Sequence, residues 1–372
     1  MQAKPPLFRD PFIRMTNSIG CGDDEERPLK QVNQYLILQK IGEGSFSKVY
    51  LAKDTQEGKF YAIKSFNLNK LQHIEAGISQ LEREISAMRK MIHPNIIKLH
   101  EALHVESTDM VYLVLDYADC GSLQKIIEME SPTIDEIKYI FKQILSAVLC
   151  LHSNGIVHQD IKPSNILIRS DGHAYLADFG LGHSFRSTAM VVGSPGYQAP
   201  EALNDSDYTQ DELDPAKEDV WSLGVSLFQT LFKRLPFTGN NVFEIIQNVK
   251  NRPLVIPNNT DPSIVSILRG MLCVNPGKRL SIEEVMKSDF FASTKKIDHF
   301  NFKVGEIPTD ITERKVMFYG AIVCDANYSF ARRSLTPSDL LESLVITPPS
   351  SFQEHLVDIL SDVTKKQSQI FM

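Results

Sequence analysis

Across residues 35–64 apolar and polar side chains alternate, the period that lays one face of a strand on a core, and the stretch reads as three strands. Residues 81–88 switch to three- and four-residue spacing, the period of an amphipathic helix, and this helix carries Glu84. Two further strands are predicted near residues 96–103 and 111–115. Beyond them the period becomes helical: residues 134–154 keep apolar positions three and four apart, and residues 220–232 are strongly apolar. The pattern is that of an α+β protein, with strands around one helix first and helices afterwards. Residues 1–34, with early prolines and the acidic run Asp23, Asp24, Glu25 and Glu26, read as a weakly ordered extension. Near the other end Phe352, Leu356, Ile359, Leu360 and Val363 mark an amphipathic helix able to dock on the rest of the chain or on a partner.

At 372 residues the chain exceeds what one core usually supports, so two lobes with extensions are expected. A net charge of −7 argues against nonspecific nucleic-acid binding. The cysteines at 21, 120, 150, 273 and 324 follow no metal-ligand spacing and build no disulfide framework, which suits a reducing compartment. Lys4 and Arg9 precede no continuous apolar segment, so no secretory signal is visible. No run approaches the roughly 18 apolar residues of a membrane helix. The expectation is a protein of the cytoplasm with access to the nucleus, partnered by neither nucleic acid nor membrane.

The candidate chemistry lies in five polar residues, Lys64, Glu84, Asp160, Asn165 and Asp178. Phosphoryl transfer asks a catalyst to hold metal ions, orient a hydroxyl and neutralise charge on the moving group. Each residue sits in a local context suited to one of those tasks. The run from His158 to Asn165 contains Asp160, Lys162 and Asn165, and Ala177-Asp178-Phe179-Gly180 follows. Upstream, Gly42 and Gly44 open a turn where backbone amides could approach phosphate oxygens unobstructed, and Tyr61-Ala62-Ile63-Lys64 lies on a strand beyond it. Any one of these fragments occurs by chance; together, in this order and spacing, they do not.

From Tyr35 to Ala292 the motifs resemble the eukaryotic protein kinase family, whose catalytic loop reads His-Arg-Asp, four residues, then Asn, and whose magnesium loop reads Asp-Phe-Gly. The resemblance implies the bilobal protein kinase fold, with a β-rich small lobe over residues 35–115, a mainly helical large lobe over 116–292 and a C-terminal tail, 293–372, open to a regulatory role. It implies ATP and Mg2+ as cofactors. Asp160 would orient the substrate hydroxyl, Lys162 would meet the γ-phosphate as in serine/threonine kinases, and Asn165 and Asp178 would hold magnesium. Lys64 would contact the α and β phosphates and pair with Glu84, with Glu82 as the rival partner. Ile41, Gly42, Gly44, Val49, Ala62 and Leu167 would enclose the nucleotide, Leu115 would stand as gatekeeper, and the main chain of Asp116 and Ala118 would meet the adenine edge. Met88, Leu99, His158 and Phe179 resemble the apolar stack behind the site, which makes His158 structural.

By the same resemblance Ser184, Ser187, Thr188 and Ser194 fall in the activation segment, and Glu201 pairs with Arg279 to fix that segment to the large lobe. Two departures stand out: Ser47 replaces the third glycine, and Gln159 replaces the arginine that receives an activating phosphate. Ser122, Ser164 and Gln229 occupy positions where kinases selecting basic peptides carry acids, so no strong preference for upstream arginine is expected. The motif pattern most resembles the calmodulin-dependent kinase group, and within it the calmodulin-dependent kinase kinases, upstream enzymes that act on other kinases. Protein substrates, among them other kinases, are the expected partners. Calmodulin is not favoured as a partner and stays open, because Gly320 and Asp325 interrupt the basic and aromatic stretch at residues 315–333 that would have to form its target helix. The rival readings are a nucleotide-binding scaffold without activity and a kinase-like enzyme acting on a small molecule.

Overall fold

Alternation of apolar and polar residues produces the strands where the sequence placed them, within a few residues. The computed structural model describes residues 29–44, 46–74, 76–178, 195–203, 214–305, 316–326 and 328–330. The chain divides into two units, residues 1–329 and 330–372, and the fold described is that of the first. β1 (Leu29–Val32), β2 (Tyr35–Glu43), β3 (Ser47–Asp54), β4 (Phe60–Asn67), β5 (Leu99–Val105) and β6 (Met110–Asp116) pair as neighbours in the order β1-β2-β3-β4-β6-β5, all antiparallel. Their inward residues form one apolar cluster, including Val32, Ile37, Ala52, Ile63, Leu103 and Val114.

Between β4 and β5 lie the short α1 (Leu68–Leu71) and the longer α2 (Gly77–Lys90), which buries Leu81, Glu84, Ile85 and Met88 along one face. No side chain caps α2: Ala76, in the left-handed region at φ 57°, supplies none. A helix without a cap relies on tertiary contacts for its position.

The small lobe departs from the sequence-based expectation at both ends. Its sheet begins at Leu29, inside the expected extension, and two strands of the expected tail, β10 (Val316–Tyr319) and β11 (Ile322–Val323), join it at opposite edges. β10 runs parallel to β1, and β11 antiparallel to β5. These strands are two to four residues long and take their partners from remote sequence, so local alternation could not show them. Within 315–333 the β-branched Val316, Ile322 and Val323 favour strands over the helix considered there. Ile96 lies outside β5 and makes only an isolated bridge, to Leu176.

In the large lobe β7 (Gly121–Ser122) is followed by α3 (Leu123–Met129) and α4 (Ile134–Ser153), the latter opened by a capping box of Thr133 and Glu136. β8 (Ile166–Ile168) and β9 (Ala174–Leu176) complete a small sheet with β7. The helices α5 (Pro200–Leu203), α6 (Pro215–Phe232), α7 (Val242–Asn251), α8 (Pro262–Met271), α9 (Ile282–Met286) and α10 (Asp289–Ala292) follow. α6 is buried on nearly every side, as its uniform apolarity requires. Its Gly224 lets α8 come close, since a Cβ there would lie 2.9 Å from the Met271 Cβ.

Glu201 on α5 and Arg279 after α8 form a buried pair, at 2.5 and 2.9 Å for the two guanidinium nitrogens. Arg279 also donates to the carbonyls of Lys217 and Cys273, and its guanidinium lies over Trp221. The pairing expected from the sequence is present, and its remaining donors are satisfied, which a buried ion pair requires. Glu218 sits beside this pair. Burial, with the charges of Glu201 and Asp219, pushes its acid from 4.5 to about 7, against the pull of Arg279. A raised folded-state value means stability that is present below the ordinary value and lost as pH rises through about 7. Glu218→Gln is therefore expected to raise thermal stability at pH 8 by about 1 to 2 kcal/mol and to flatten the decline between pH 5 and 8, as thermal melts across that range would read.

Candidate active site

A cleft of about 980 Å³ opens between the curled sheet and the helical lobe, and all the residues assigned nucleotide, metal or catalytic roles line it. Ile41, Gly42, Gly44 and Val49 come from the β2–β3 hairpin, Ala62 and Lys64 from β4, and Glu84 from α2. Leu115, Asp116 and Ala118 lie at and just after the end of β6. Asp160, Lys162 and Asn165 precede β8, Leu167 is on β8, and Asp178 follows β9.

Lys64 is fixed by strand pairing on both sides, opposite Val49 of β3 and Leu113 of β6. Its ammonium lies 3.3 Å from Glu84 Oε1 and 2.5 Å from Asp178 Oδ1. Burial works against its charge, yet Asp178 and Glu84 outweigh that and raise its pKa. Glu84 shows the opposite balance: burial pushes its carboxyl up despite Lys64. Asp178 is held down, chiefly by the charge of Lys64. The side chain of Asp178 remains 55% exposed to the cleft, in reach of a ligand, whereas that of Glu84 is 4% exposed. Glu82, the rival partner, points elsewhere and accepts a hydrogen bond from Ser329 Oγ at 2.9 Å.

The opposite wall is built on Asp219 of α6, which is fully buried. Its carboxylate accepts the backbone amides of His158 and Gln159, at 2.9 and 2.8 Å, and the His152 ring nitrogen at 2.8 Å. Gln159 is thereby held at φ 62°, a left-handed conformation costly for a side chain of its size. His158 is completely buried, and its Nδ1 accepts the Asp160 amide while its Nε2 donates to the Ala177 carbonyl. Burial lowers its pKa, so the ring is neutral and structural, as expected.

These contacts deliver Asp160 to the cleft, where Lys162 Nζ lies 2.8 Å and Asn165 Nδ2 3.0 Å from its carboxylate oxygen Oδ2. Asn165 Nδ2 also donates to the Asp160 carbonyl at 2.8 Å. With its nitrogen so engaged, Asn165 presents its amide oxygen as a ligand. The oxygen donors of Asn165 and Asp178 fit Mg2+, which takes one or two protein oxygens and completes its shell with phosphate and water. Among the described residues no cluster of three histidine, cysteine or acidic side chains competes as a metal site.

Met88 lines the cleft and Leu99 is buried, while Phe179 of the expected stack and Ser184, Ser187, Thr188 and Ser194 lie outside the described residues. Cys120 is buried, and burial pushes its thiol up to about 12, which leaves it unreactive. Ser122 caps α3 by accepting the Lys125 amide, and Gln229 bridges Tyr197 and Gln124, so neither position carries an acid. Sequence reasoning missed part of the rim: Lys125, Met129 and Glu130 on one side, and Lys303, Val304 and Gly305 from the tail. The Gly305 amide donates to the Asp119 carbonyl at 2.7 Å, a backbone contact with no sequence signature.

Residues 35–291 match the protein kinase domain family, and the chain belongs to it. Domains of this family use ATP and Mg2+. The chain is similar to the carbon catabolite-derepressing protein kinase of Saccharomyces cerevisiae, at 36% identity over 265 residues, covering 70% of this chain and 40% of that protein. It is also similar to the serine/threonine-protein kinase STK11 of Gallus gallus and of Homo sapiens, each 32% identical over 292 residues. Those matches cover 76% of this chain and 65% and 66% of the respective relatives. The chain thus spans less than half the length of the yeast relative and about two thirds of the STK11 proteins.

Glu84→Gln keeps the volume and one acceptor but removes the charge that shares Lys64 with Asp178. Steady-state kinetics should show kcat reduced by roughly tenfold or more with a smaller change in the KM for ATP. The thermal midpoint should change little, since a buried carboxylate costs desolvation that an amide does not.

Proposed function

We propose that this chain transfers the γ-phosphate of ATP to serine or threonine hydroxyls of proteins, and that other kinases are among its substrates. The observation that carries the reading is the convergence of Lys64, Glu84 and Asp178 with Asp160, Lys162 and Asn165 on facing walls of one cleft. In this role Asp160 orients the acceptor hydroxyl and takes up its proton, and Lys162, beside it, offsets negative charge at the acceptor side. Lys64, kept cationic by two carboxylates, positions the non-reacting phosphates. ATP is the phosphate donor, and Asn165 and Asp178 would hold Mg2+, which when bound would supply positive charge to the phosphate oxygens.

The upstream role draws support from the likeness to STK11 and from the motif pattern that resembles calmodulin-dependent kinase kinases; the latter grouping rests on that pattern alone. Gln159 offers no charge to a phosphorylated activation segment, which favours activity without that modification.

Radiolabelled transfer from ATP with magnesium, compared with Asp178→Asn, should label serine or threonine in generic protein substrates and in the activation segment of an inactive kinase. An arrayed peptide panel in the same assay should show no dominant upstream arginine. Labelling that persists in the variant, or none in the unaltered protein despite magnesium-dependent ATP binding, overturns the reading. Replacing Ser184, Ser187 and Thr188 together with alanine is expected to leave turnover within about twofold, and its abolition in a folded protein contradicts independence from activation-segment phosphorylation.

A further inference from the structure

Residues 316–326, 328 and 329 cover both edges of the small-lobe sheet and reach helix α2. Tyr319 and Ala321 pack on the apolar cluster inside the sheet, and Lys30 lies over the rings of Tyr112 and Tyr319. At the β1–β2 turn Asn33 clasps the segment: its amide nitrogen Nδ2 donates to the Ala321 carbonyl at 3.1 Å, and its Oδ1 accepts the Ala321 amide at 2.8 Å. At the other edge the Cys324 amide donates to the Ala102 carbonyl of β5 at 2.8 Å, and Tyr328 hydroxyl meets His104 Nδ1 at 2.6 Å.

The segment then fastens α2 at two places that flank Glu84 along the helix. In the last turn the Arg89 guanidinium donates to the carbonyls of Cys324 and Asp325, and two residues before Glu84 the Glu82 carboxylate accepts the Ser329 hydroxyl. α2 has no side-chain cap of its own, and its functional load is Glu84, which must sit against Lys64. A guanidinium bound to two main-chain carbonyls fixes a direction as well as a distance, more firmly than a neutral hydrogen bond would.

We propose that residues 316–326, with 328 and 329, are a clamp, carried in the same chain, that holds α2 where Glu84 meets Lys64, and that Arg89 is the positioning residue through which it acts. Shifting α2 away would leave the cleft walls intact but separate Glu84 from Lys64, so the clamp controls alignment of the nucleotide without touching it. The inference rests on the kinase reading for its effect on rate, while its effect on α2 can be read without activity.

The test compares Arg89→Ala, Arg89→Lys and Asn33→Gly in the full chain. Glycine accepts the φ of 47° at position 33, so that variant loses the side-chain clasp to Ala321 without backbone strain, at a position outside α2. Hydrogen exchange of residues 77–90 and kcat per ATP-binding site are measured together. Faster exchange of α2 in Arg89→Ala and Asn33→Gly, with kcat lowered roughly tenfold and the KM for ATP changed less, is expected, and Arg89→Lys should recover part of the loss. Exchange at the unaltered rate in both variants overturns the clamp. An effect of Arg89→Ala with none from Asn33→Gly also overturns it, by reducing Arg89 to a local fastening of α2. If the unaltered chain transfers no phosphate, the kinase reading fails and exchange alone decides on the clamp; if Arg89→Ala does not fold, Asn33→Gly decides.

Discussion

The carboxylate of Asp219 is the constraint on which the site depends. It lies on α6, the most completely buried helix, and its acceptor capacity is spent on two consecutive amides of the catalytic loop and on His152. A buried carboxylate with three donors is stable only where it stands, and so is the loop it holds. The left-handed backbone at Gln159, unfavourable by itself, follows from that arrangement and turns Asp160 toward the cleft. The core of the large lobe thus specifies the position of a cleft-facing acid through the loop that carries it.

On the facing wall the organising quantity is charge shared among three groups. Lys64 stands between a buried acid and a cleft-facing one, and each carboxylate is stabilised by a cation it must share. The sheet holds Lys64 rigidly, β9 and Ala177 lead into Asp178, and α2 holds Glu84. Only the last of these supports is an uncapped helix packed on the outside of a sheet. Of the three parts, α2 is therefore the one whose placement depends most on what surrounds it.

The residues that carry chemistry were legible in the sequence because their spacing is local: Asp160, Lys162 and Asn165 fall within one loop, and Lys64 is set by the strand that contains it. Choosing Glu84 over Glu82 was legible from helical period, since only one of two residues that far apart can face the sheet. What could not be read was pairing across long separations. β1 offers two inward residues, and β11 is two residues long, so neither has a period to detect. β1 gains a second partner, β10, and β11 its partner β5, from far along the chain, and tertiary pairing overrides local preference in segments this short. The tail residues at the cleft rim make their contacts through main chain, which the side-chain sequence does not record.

Closure of the sheet by β10 and β11 also orders events in the life of the molecule. Asn33 and Ala321, which clasp each other, are 288 residues apart. Translation proceeds from the amino end, and domains generally fold as they emerge. Here the strands that seal the first sheet are not made until the whole helical lobe has been synthesised. Until then both sheet edges present unpaired amides and carbonyls, the surface on which foreign strands add. Contacts of such long range also slow folding, because loop closure precedes the reward for making them. The lobe translated first is the lobe completed last, and during that interval its protection must come from a chaperone or from speed.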